Sequence, residues 1–529
     1  MVWSRSMNQS RRGKRLRGAM RLLLPTAFLL SAVVPLHAED LSLEALKRMI
    51  DGTAHLTEAA PAKAPGNTAE GEVLQSQISI DRLGVLPLSQ RVLLDVRSNH
   101  SDGAHDMDML AALAEKRGID TLVFGEHDRY TIRLGLDPIA GKWGVSQEHP
   151  SLYETGLAEF FTDLERTRSR YPDLHFMAAT ESTPGYHWSG TPFVDLTLHN
   201  AERHIIALGV ERPEQIEALP SYDLRNVKGS FILSVTFWSI ALFLLLVWLL
   251  RKRKWSIALL LALSFIASMT MWLMQKKVDA DADFINVARE QGLFTIWTHP
   301  GTLSGVRDGP MGVKLDTPPY SERVFEEPTA DGFAAVYGDT DSNTVPGGLW
   351  DRYMLDCMKG YRGYPIWAVA AGDYHEEGMA NEYLGNFPMD VWAKSGDSKT
   401  VLQAISRGRS ASWGMPRERN LKMAALFAED ESGRRLLPGD EAAVASKLTL
   451  YAAVSEWKAK AAEVKDVLNL SGQWVVDGRV VAVVSLPSNG EVAVTPIELT
   501  PGPHVVRLRI PPQMSIRMEA NPFLLKVRR

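Results

Sequence analysis

The sequence contains almost no cysteine: Cys357 is the only one in 529 residues. A single thiol excludes an internal disulfide framework and a cysteine-rich zinc site. An excess of charge of one sign is lacking too, because 58 Lys and Arg stand against 63 Asp and Glu, a formal net charge of -5. From this balance no nucleic-acid partner is expected. Hydrophobic residues make up 45% of the chain, which is typical of a globular protein and not of a disordered one.

The N-terminal region has the composition of an export segment. Six basic residues between Arg11 and Arg21 precede an apolar stretch, 22–36, which is followed by the small residue Ala38. A basic start followed by an apolar core is typical of a bacterial export signal. Leu36 is bulkier than the residue usually found before a cleavage site. Residues 1–38 are therefore predicted to be an export signal or an uncleaved anchor, and residues 39–90 a linker.

Two further apolar runs lie in mid-chain. Residues 231–250 and 255–274 contain no charged side chain, and only the basic tetrad 251–254 separates them. Each run is long enough to cross the ~30 Å hydrocarbon core of a bilayer. Basic residues favour the cytoplasmic side of a membrane. We therefore predict a two-helix transmembrane hairpin over 229–277 in the inner membrane, with the flanking parts of the chain on its periplasmic side.

The rest of the chain shows two patterns. Apolar strands alternate with helices over 91–228 and again over 278–415, which favours a mainly parallel sheet or barrel. From about residue 416, short alternating strands and turn pairs such as Asp477-Gly478 predict a β-sandwich that extends to residue 529. The predicted fold class is α/β: a distorted barrel of the (β/α)7 type, interrupted by the hairpin and followed by the sandwich.

Acidic or imidazole side chains follow the buried strands of the α/β part. In chain order these are Asp95, the run Glu126-His127-Asp128, Glu181, His299, and the pair Asp373 and His375. The carboxyl ends of barrel strands meet at one rim, where active sites are built. A helix cap or a core hydrogen bond would explain any one of these residues, but it would not readily explain all of them. Ligands of this mixed oxygen and nitrogen type suit Zn, Mn or Fe.

The same residues resemble the motifs of a known superfamily. Segments 100–103 (HSDG) and 125–128 (GEHD) resemble the first two motifs of the PHP (polymerase and histidinol phosphatase) superfamily. Glu181, His204, His299-Pro300 and Asp373-x-His375 follow in that superfamily's order. The resemblance covers about residues 91–228 and 278–412. The β-rich tail is similar to that of the branch with carbaryl-type amide and ester hydrolases.

The resemblance implies a metal centre with two or three divalent ions (Zn, Mn or Fe). Glu181 would bridge two ions, and a bound hydroxide would attack the substrate, a role that metal ions support by lowering the pKa of water. The implied metal ligands are Asp102, His127, Glu181, His204, His299, Asp373 and His375.

The opening His-x-His motif of the superfamily falls on Asp95 and Arg97 in this chain. Asp95 offers an oxygen ligand to a metal ion. Arg97 stays protonated, so it cannot bind a metal, but its guanidinium suits a phosphate or carboxylate. His100 is a further candidate for proton transfer, because imidazole titrates near neutral pH. We therefore predict catalytic roles for Arg97, His100 and Glu181.

Three functions remain open from the sequence. The first is a phosphoesterase that acts outside the cytoplasmic membrane on a small-molecule or envelope-derived substrate, with the bilayer as its partner. The second is an amide or ester hydrolase, which the β-rich tail favours. The third is a non-catalytic sensor or assembly module with a degenerate site, which Asp95 and Arg97 favour.

Overall fold

A computed structural model describes residues 76–84, 89–134, 145–190, 194–220, 245, 247–252, 279–301, 305–309, 312–337, 343–379, 382–457 and 466–528. The predicted export signal or anchor at 1–38 lies outside these residues, as does most of the predicted linker at 39–90. All of the described residues belong to one compact unit, Val73–Arg529.

The transmembrane hairpin predicted for 229–277 is not supported. Within the described ranges, no helix has both the length and the apolar character needed to cross a bilayer. Of the predicted hairpin itself, only residues 245 and 247–252 are described. The predicted fold class and the predicted inner-membrane location are corrected accordingly, since both depended on the hairpin. An uncharged run of sufficient length is necessary for a membrane span but does not establish one.

The helices begin and end at residues suited to those positions. Helix α1 follows Asp106, whose side chain accepts a hydrogen bond from the Met109 N–H, and it ends at Gly118 in the left-handed conformation. An acidic N-cap and a C-terminal glycine are the favoured ends of a helix. Two 3-10 turns cover Ile80–Leu83 and Arg323–Phe325. The helices with defined bounds in the described ranges are α1 (Met107–Arg117), α2 (Leu152–Thr155), α3 (Leu157–Arg170), α4 (Pro213–Glu217), α5 (Ala280–Glu290), α6 (Leu349–Met358) and α7 (Ser398–Ser406).

Strands outnumber helices in the described structure. The first fourteen are β1 (Ser76–Ser79), β2 (Ser89–Val96), β3 (Thr121–His127), β4 (Thr131–Leu134), β5 (Val145–Glu148), β6 (His175–Ser182), β7 (His187–Ser189), β8 (Thr197–His199), β9 (Ile205–Val210), β10 (Phe294–Trp297), β11 (Gly305–Asp308), β12 (Lys314–Thr317), β13 (Gly332–Val336) and β14 (Trp367–Ala370). The others are β15 (Pro388–Trp392), β16 (Ser410–Gly414), β17 (Leu421–Asp430), β18 (Arg435–Leu436), β19 (Glu441–Val444), β20 (Lys447–Glu456), β21 (Asn469–Val476), β22 (Arg479–Pro487), β23 (Asn489–Glu498), β24 (Gly502–Gln513), β25 (Ile516–Ala520) and β26 (Phe523–Val527).

Seven of these strands form a ring in the order β2, β3, β6, β9, β10, β13, β14. The ring closes where the segment after β14 pairs with the end of β2. There Val96 and Tyr374 form a parallel bridge, and the Arg97 N–H donates to the Tyr374 carbonyl at 2.9 Å. All seven residues of β3 are buried, as expected for a strand covered on both faces. The closure brings the start and the end of this part of the chain together.

The predicted parallel order fails at β9, which runs antiparallel to both β6 and β10. The chain between β6 and β9 contains the short strands β7 and β8 and, among its described residues, no crossover helix. Without such a crossover the chain reverses its direction, because parallel neighbours need a longer connection. The start of β9 therefore lies beside the ends of β6 and β10.

One sheet of the β-rich tail is continuous with the ring. Strand β15 pairs with β2, and β16 and β25 continue the same sheet into the tail, so that 15 of the described strands belong to one sheet. A second sheet has the order β1, β23, β20, β17, β18. A second hydrophobic core in the tail includes the buried side chains Trp413, Leu450, Trp474 and Phe523. The sheet that carries the ring therefore also forms part of the tail.

Candidate metal centre

Glu181 lies at the centre of a cluster at the end of the strand ring. It comes near the end of β6, and its side chain is fully buried. Its Oε2 atom is 3.0 Å from Nδ1 of His204, and its Oε1 atom is 3.4 Å from Nε2 of His299. One ligand atom from each of these three residues lies within 4.8 Å of the other two. We call Glu181, His204 and His299 the first ligand group.

The ligand separations in the first group fit a metal ion. Zinc binds nitrogen and oxygen at about 2.0–2.2 Å in tetrahedral sites, so two of its ligand atoms stand roughly 3.3–3.5 Å apart. The observed separations of 3.0 and 3.4 Å are close to that value. The antiparallel direction of β9 explains why His204, which precedes that strand, joins residues at the ends of β6 and β10.

A second ligand group has Asp102 at its centre. Its Oδ2 atom is 3.2 Å from Nε2 of His375 and 3.6 Å from Nε2 of His127. The other ring nitrogen of His127, Nδ1, lies 3.5 Å from Oε2 of Glu181. The two groups are therefore adjacent, and His127 stands between them. The ring of Tyr130 packs on that of His127, with 4.4 Å between their centroids.

Arg97 occupies the space among three carboxyl groups beside the first ligand group. Its Nη2 atom contacts Oε2 of Glu181 and lies 3.4 Å from Oδ1 of both Asp95 and Asp373. The Arg97 side chain has no exposed surface. Burial opposes its charge, but Asp95, Glu181 and Asp373 outweigh that effect and hold the pKa of Arg97 well above its usual range. The predicted contact of Arg97 with a substrate does not fit this position.

Three residues of the cluster have an unusual backbone conformation. Asp95, His299 and Asp373 have positive φ angles of 69°, 33° and 43°. Residues other than glycine keep such angles only where the surrounding structure fixes them, and these positions are common in active sites. Gly125 accommodates Asp95, because a Cβ atom at position 125 would stand 2.5 Å from the Asp95 Oδ1 atom.

The acidic groups of the cluster are held in the ionised form that binds cations. Burial opposes the charge of Glu181, but Arg97 and His204 hold its pKa well below the usual range. Burial likewise opposes the charge of Asp102, yet His127 and His375 lower its pKa. Asp95 differs, since burial raises its pKa to about 8 against the effect of Arg97.

The histidines respond to the same neighbours. Burial and then Arg97 lower the pKa of His127 to about 3, which leaves its ring neutral. Burial disfavours protonation of His299, but Glu181 raises its pKa to about 9. His375 behaves in the same way, because Asp373 and Asp102 outweigh burial and raise its pKa to about 10. His299 and His375 therefore compensate negative charge in the protein without ions.

The structure places His100 differently from the other predicted residues. Its Nε2 atom is 3.2 Å from Oδ2 of Asp163 in α3, and its ring stands edge-on to Phe160. Its carbonyl accepts a hydrogen bond from Oγ1 of Thr155 at 2.7 Å. These contacts give His100 a packing role against α2 and α3.

Two supporting residues were not predicted. Thr298 donates a hydrogen bond from Oγ1 to Oε1 of Glu181 at 2.9 Å, and Tyr337 donates from its hydroxyl to Oδ2 of Asp373 at 3.0 Å. Such neighbours orient metal ligands. Tyr337 directly follows β13, but the strand-end pattern covers only acidic and imidazole side chains and would not have selected a tyrosine.

The chain is similar to known proteins in structure but not detectably in sequence. No protein-family model matches the chain, and no curated protein matches its sequence. A two-domain protein from Bacteroides vulgatus containing a predicted PHP-like metal-dependent phosphoesterase is 12% identical, with a TM-score of 0.33 over 87% of this chain and 100% of that one. A protein from Bifidobacterium adolescentis described as a candidate metal-dependent phosphoesterase is 13% identical, with a TM-score of 0.29 over 60% of this chain and 97% of that one.

A third solved structure is an amidohydrolase from Chromobacterium violaceum with bound sulfate and no metal. It is 13% identical, with a TM-score of 0.25 over 54% of this chain and 88% of that one. None of the three is described as a carbaryl-type hydrolase, so that branch stays a prediction. All three TM-scores lie below 0.5, and function is therefore inferred from the residues of the cluster.

Proposed function

We propose that this protein is a metal-dependent hydrolase of phosphoesters. The observation that supports it is the first ligand group, in which Glu181, His204 and His299 converge with separations of 3.0 and 3.4 Å. Asp102, His127 and His375 provide a second place for an ion beside it. A divalent ion held in this cluster would lower the pKa of water and stabilise the negative charge that develops on a phosphoryl oxygen.

The chain's own residues prepare the centre. Thr298 fixes one oxygen of Glu181 and Arg97 contacts the other, so the carboxylate keeps one orientation. Tyr337 does the same for Asp373. Buried, preorganised groups need no rearrangement during a reaction, which is a main source of catalysis.

The charge of the cluster favours an anionic substrate over a neutral amide. With the histidines neutral, as they must be to bind metal ions, and with Asp95 protonated, the charges of Asp102, Glu181, Asp373 and Arg97 leave two net negative charges. Two divalent ions would change this to two net positive charges. Such a centre attracts a phosphoester, whereas a neutral amide gains little from the field.

The proposal is tested with the full-length protein. It is stripped of metal with a chelator, reloaded with Zn²⁺ or Mn²⁺, and assayed on nitrophenyl phosphate, bis-nitrophenyl phosphate, nitrophenyl acetate and a nitroanilide. We expect phosphoester hydrolysis that the chelator abolishes and the metal restores. Preference for the acetate or the anilide would favour the amide and ester alternative. Bound metal without turnover of any of these substrates would favour a non-catalytic module.

A further inference from the structure

We propose that the guanidinium of Arg97 permanently takes the place of a metal ion among Asp95, Glu181 and Asp373. Exchangeable ions would then bind only at the two ligand groups, and the third position would stay closed to them. This inference rests on the proposed metal-dependent function. It specifies that the metal ions at the two ligand groups can be removed from the centre, whereas the cation at the third position cannot.

The carboxyl groups that face Arg97 come from distant parts of the chain. Asp95 belongs to β2, Glu181 to β6, and Asp373 follows β14. All three direct an oxygen at the same Nη2 atom, two of them from 3.4 Å and Glu181 in direct contact. Carboxyl groups that converge in a buried space repel one another unless a cation or a proton lies among them. Arg97 supplies that cation from within the chain.

A metal ion and the guanidinium cannot share this space. An ion bonded to the same oxygens at about 2.0–2.2 Å would overlap Nη2, because Oε2 of Glu181 already contacts that atom. The Arg97 side chain has no exposed surface, so it does not reach a substrate from this position. A guanidinium stays charged at any ordinary pH. It is therefore a cation that neither a chelator nor a change of pH removes.

Glu181 then connects a fixed cation with an exchangeable one. Its Oε2 atom contacts Arg97 and lies 3.0 Å from Nδ1 of His204, while its Oε1 atom lies 3.4 Å from Nε2 of His299. This arrangement is that of a carboxylate that bridges two metal ions, except that the guanidinium of Arg97 stands where one of the ions would be. Metal removal should therefore leave the contacts of Arg97 with Asp95 and Asp373 intact.

Metal content per chain tests the inference. Wild type, Arg97→His and Arg97→Lys are dialysed against Mn²⁺, and bound metal is measured by elemental mass spectrometry. We expect Arg97→His to bind one more ion per chain than wild type, because imidazole is a metal ligand and leaves room beside the carboxyl groups. Arg97→Lys is the matched control: it keeps a positive charge at the position and should leave the metal content unchanged.

The position of the ions provides a second readout that needs no variant. In anomalous diffraction from Mn²⁺-soaked wild-type crystals, we expect peaks at the ligand groups and none among Asp95, Glu181 and Asp373. A peak among those three residues would overturn the inference, as would a folded Arg97→His that gains no ion. If wild type binds no ion at all, the proposed function is overturned. The inference about Arg97 is still tested in that case, because it expects Arg97→His to gain an ion that wild type lacks.

Discussion

Arg507 of β24 and Asp351 of α6 form a buried, two-point ion pair. Nε of Arg507 lies 2.6 Å from Oδ1 of Asp351, and Nη2 lies 2.9 Å from Oδ2. The remaining nitrogen, Nη1, is 2.9 Å from Oε2 of Glu519 in β25. Asp351 belongs to the α/β part and Glu519 to the tail, so one guanidinium joins the two parts without exposure to solvent.

Replacement of Arg507 by Met should destabilise the whole protein. The change leaves Asp351 buried without its cation, which costs about 3–5 kcal/mol of unfolding free energy for pairs of this kind, while Glu519 keeps Arg509 at 3.0 Å. Urea unfolding of the two proteins measures the loss. Lys526→Met is the control, because the pair of Lys526 and Glu441 is exposed and should contribute at most about 1 kcal/mol. Equal effects of the two changes would contradict the role assigned to Arg507.

Gly125→Ala should disturb the metal centre through Asp95. The new Cβ atom would stand 2.5 Å from Oδ1 of Asp95, so that side chain must move. Overpacking of this kind costs about 1–3 kcal/mol. We expect a lower melting temperature than for wild type. Gly363→Ala serves as the control, since Gly363 is exposed and its added Cβ atom would meet nothing within 4 Å. A Gly125→Ala protein as stable as the control would show that Asp95 is not held there.

Glu181→Gln should remove bound metal, whereas His100→Gln should not. Glu181 lies next to both His204 and His299, and an amide is a much weaker ligand than a carboxylate. We expect the metal content of Glu181→Gln to fall at least about tenfold, the scale on which even outer-shell changes weaken metal sites. His100 pairs with Asp163 instead, so His100→Gln should keep the wild-type content. Loss of metal in His100→Gln would show that His100 takes part in the metal centre after all.

Cys357 should react slowly with thiol reagents in the folded protein. Burial raises the pKa of its thiol from the ordinary value near 9 to about 12. Because the thiolate is the reactive form, three pH units correspond to a roughly 1,000-fold smaller reactive fraction at pH 8. Iodoacetamide labelling in buffer and in urea measures this ratio. The folded rate should keep rising with pH up to about 11, while the unfolded rate should level off above about 9. Similar rates at pH 8 would contradict the raised pKa.

The strand-end pattern predicted much of the cluster from the sequence. Asp95, Glu181 and Asp373 each follow an apolar run, and those runs correspond to β2, β6 and β14. The pattern does not reach His204, because this residue precedes an antiparallel strand and the pattern covers only residues at the C-terminal end of a strand. For His204 the prediction rested on the family resemblance alone.

The position of Arg97 required the three-dimensional structure. From the sequence its guanidinium suited a substrate, since nothing in the chain shows that Asp95 and Asp373 converge on the same atom. The two carboxyl groups become neighbours where the end of β2 pairs with the segment after β14, at Val96 and Tyr374. Contacts between such distant positions depend on how the ring closes, and local composition gives no information about that.

The prediction of a membrane hairpin failed for a different reason. Hydropathy measures how compatible the residues of a segment are with the interior of a bilayer. A 20-residue uncharged run meets that criterion whether or not the segment forms a membrane-spanning helix. Strand β13, whose five residues are GFAAV, was not recognised in the sequence at all. Long apolar runs can therefore be overinterpreted, while a buried strand can go unrecognised.

The closure of the ring between Val96 and Tyr374 also sets the order of events during synthesis. Asp102 precedes its partner His375 by 273 residues. At the usual rate of about 5–20 residues per second, the ribosome needs roughly 15–55 s to make that stretch. Throughout this time the nascent chain carries Asp102 and His127 without their third partner. A metal ion that required all three residues could therefore bind only after the ring is complete.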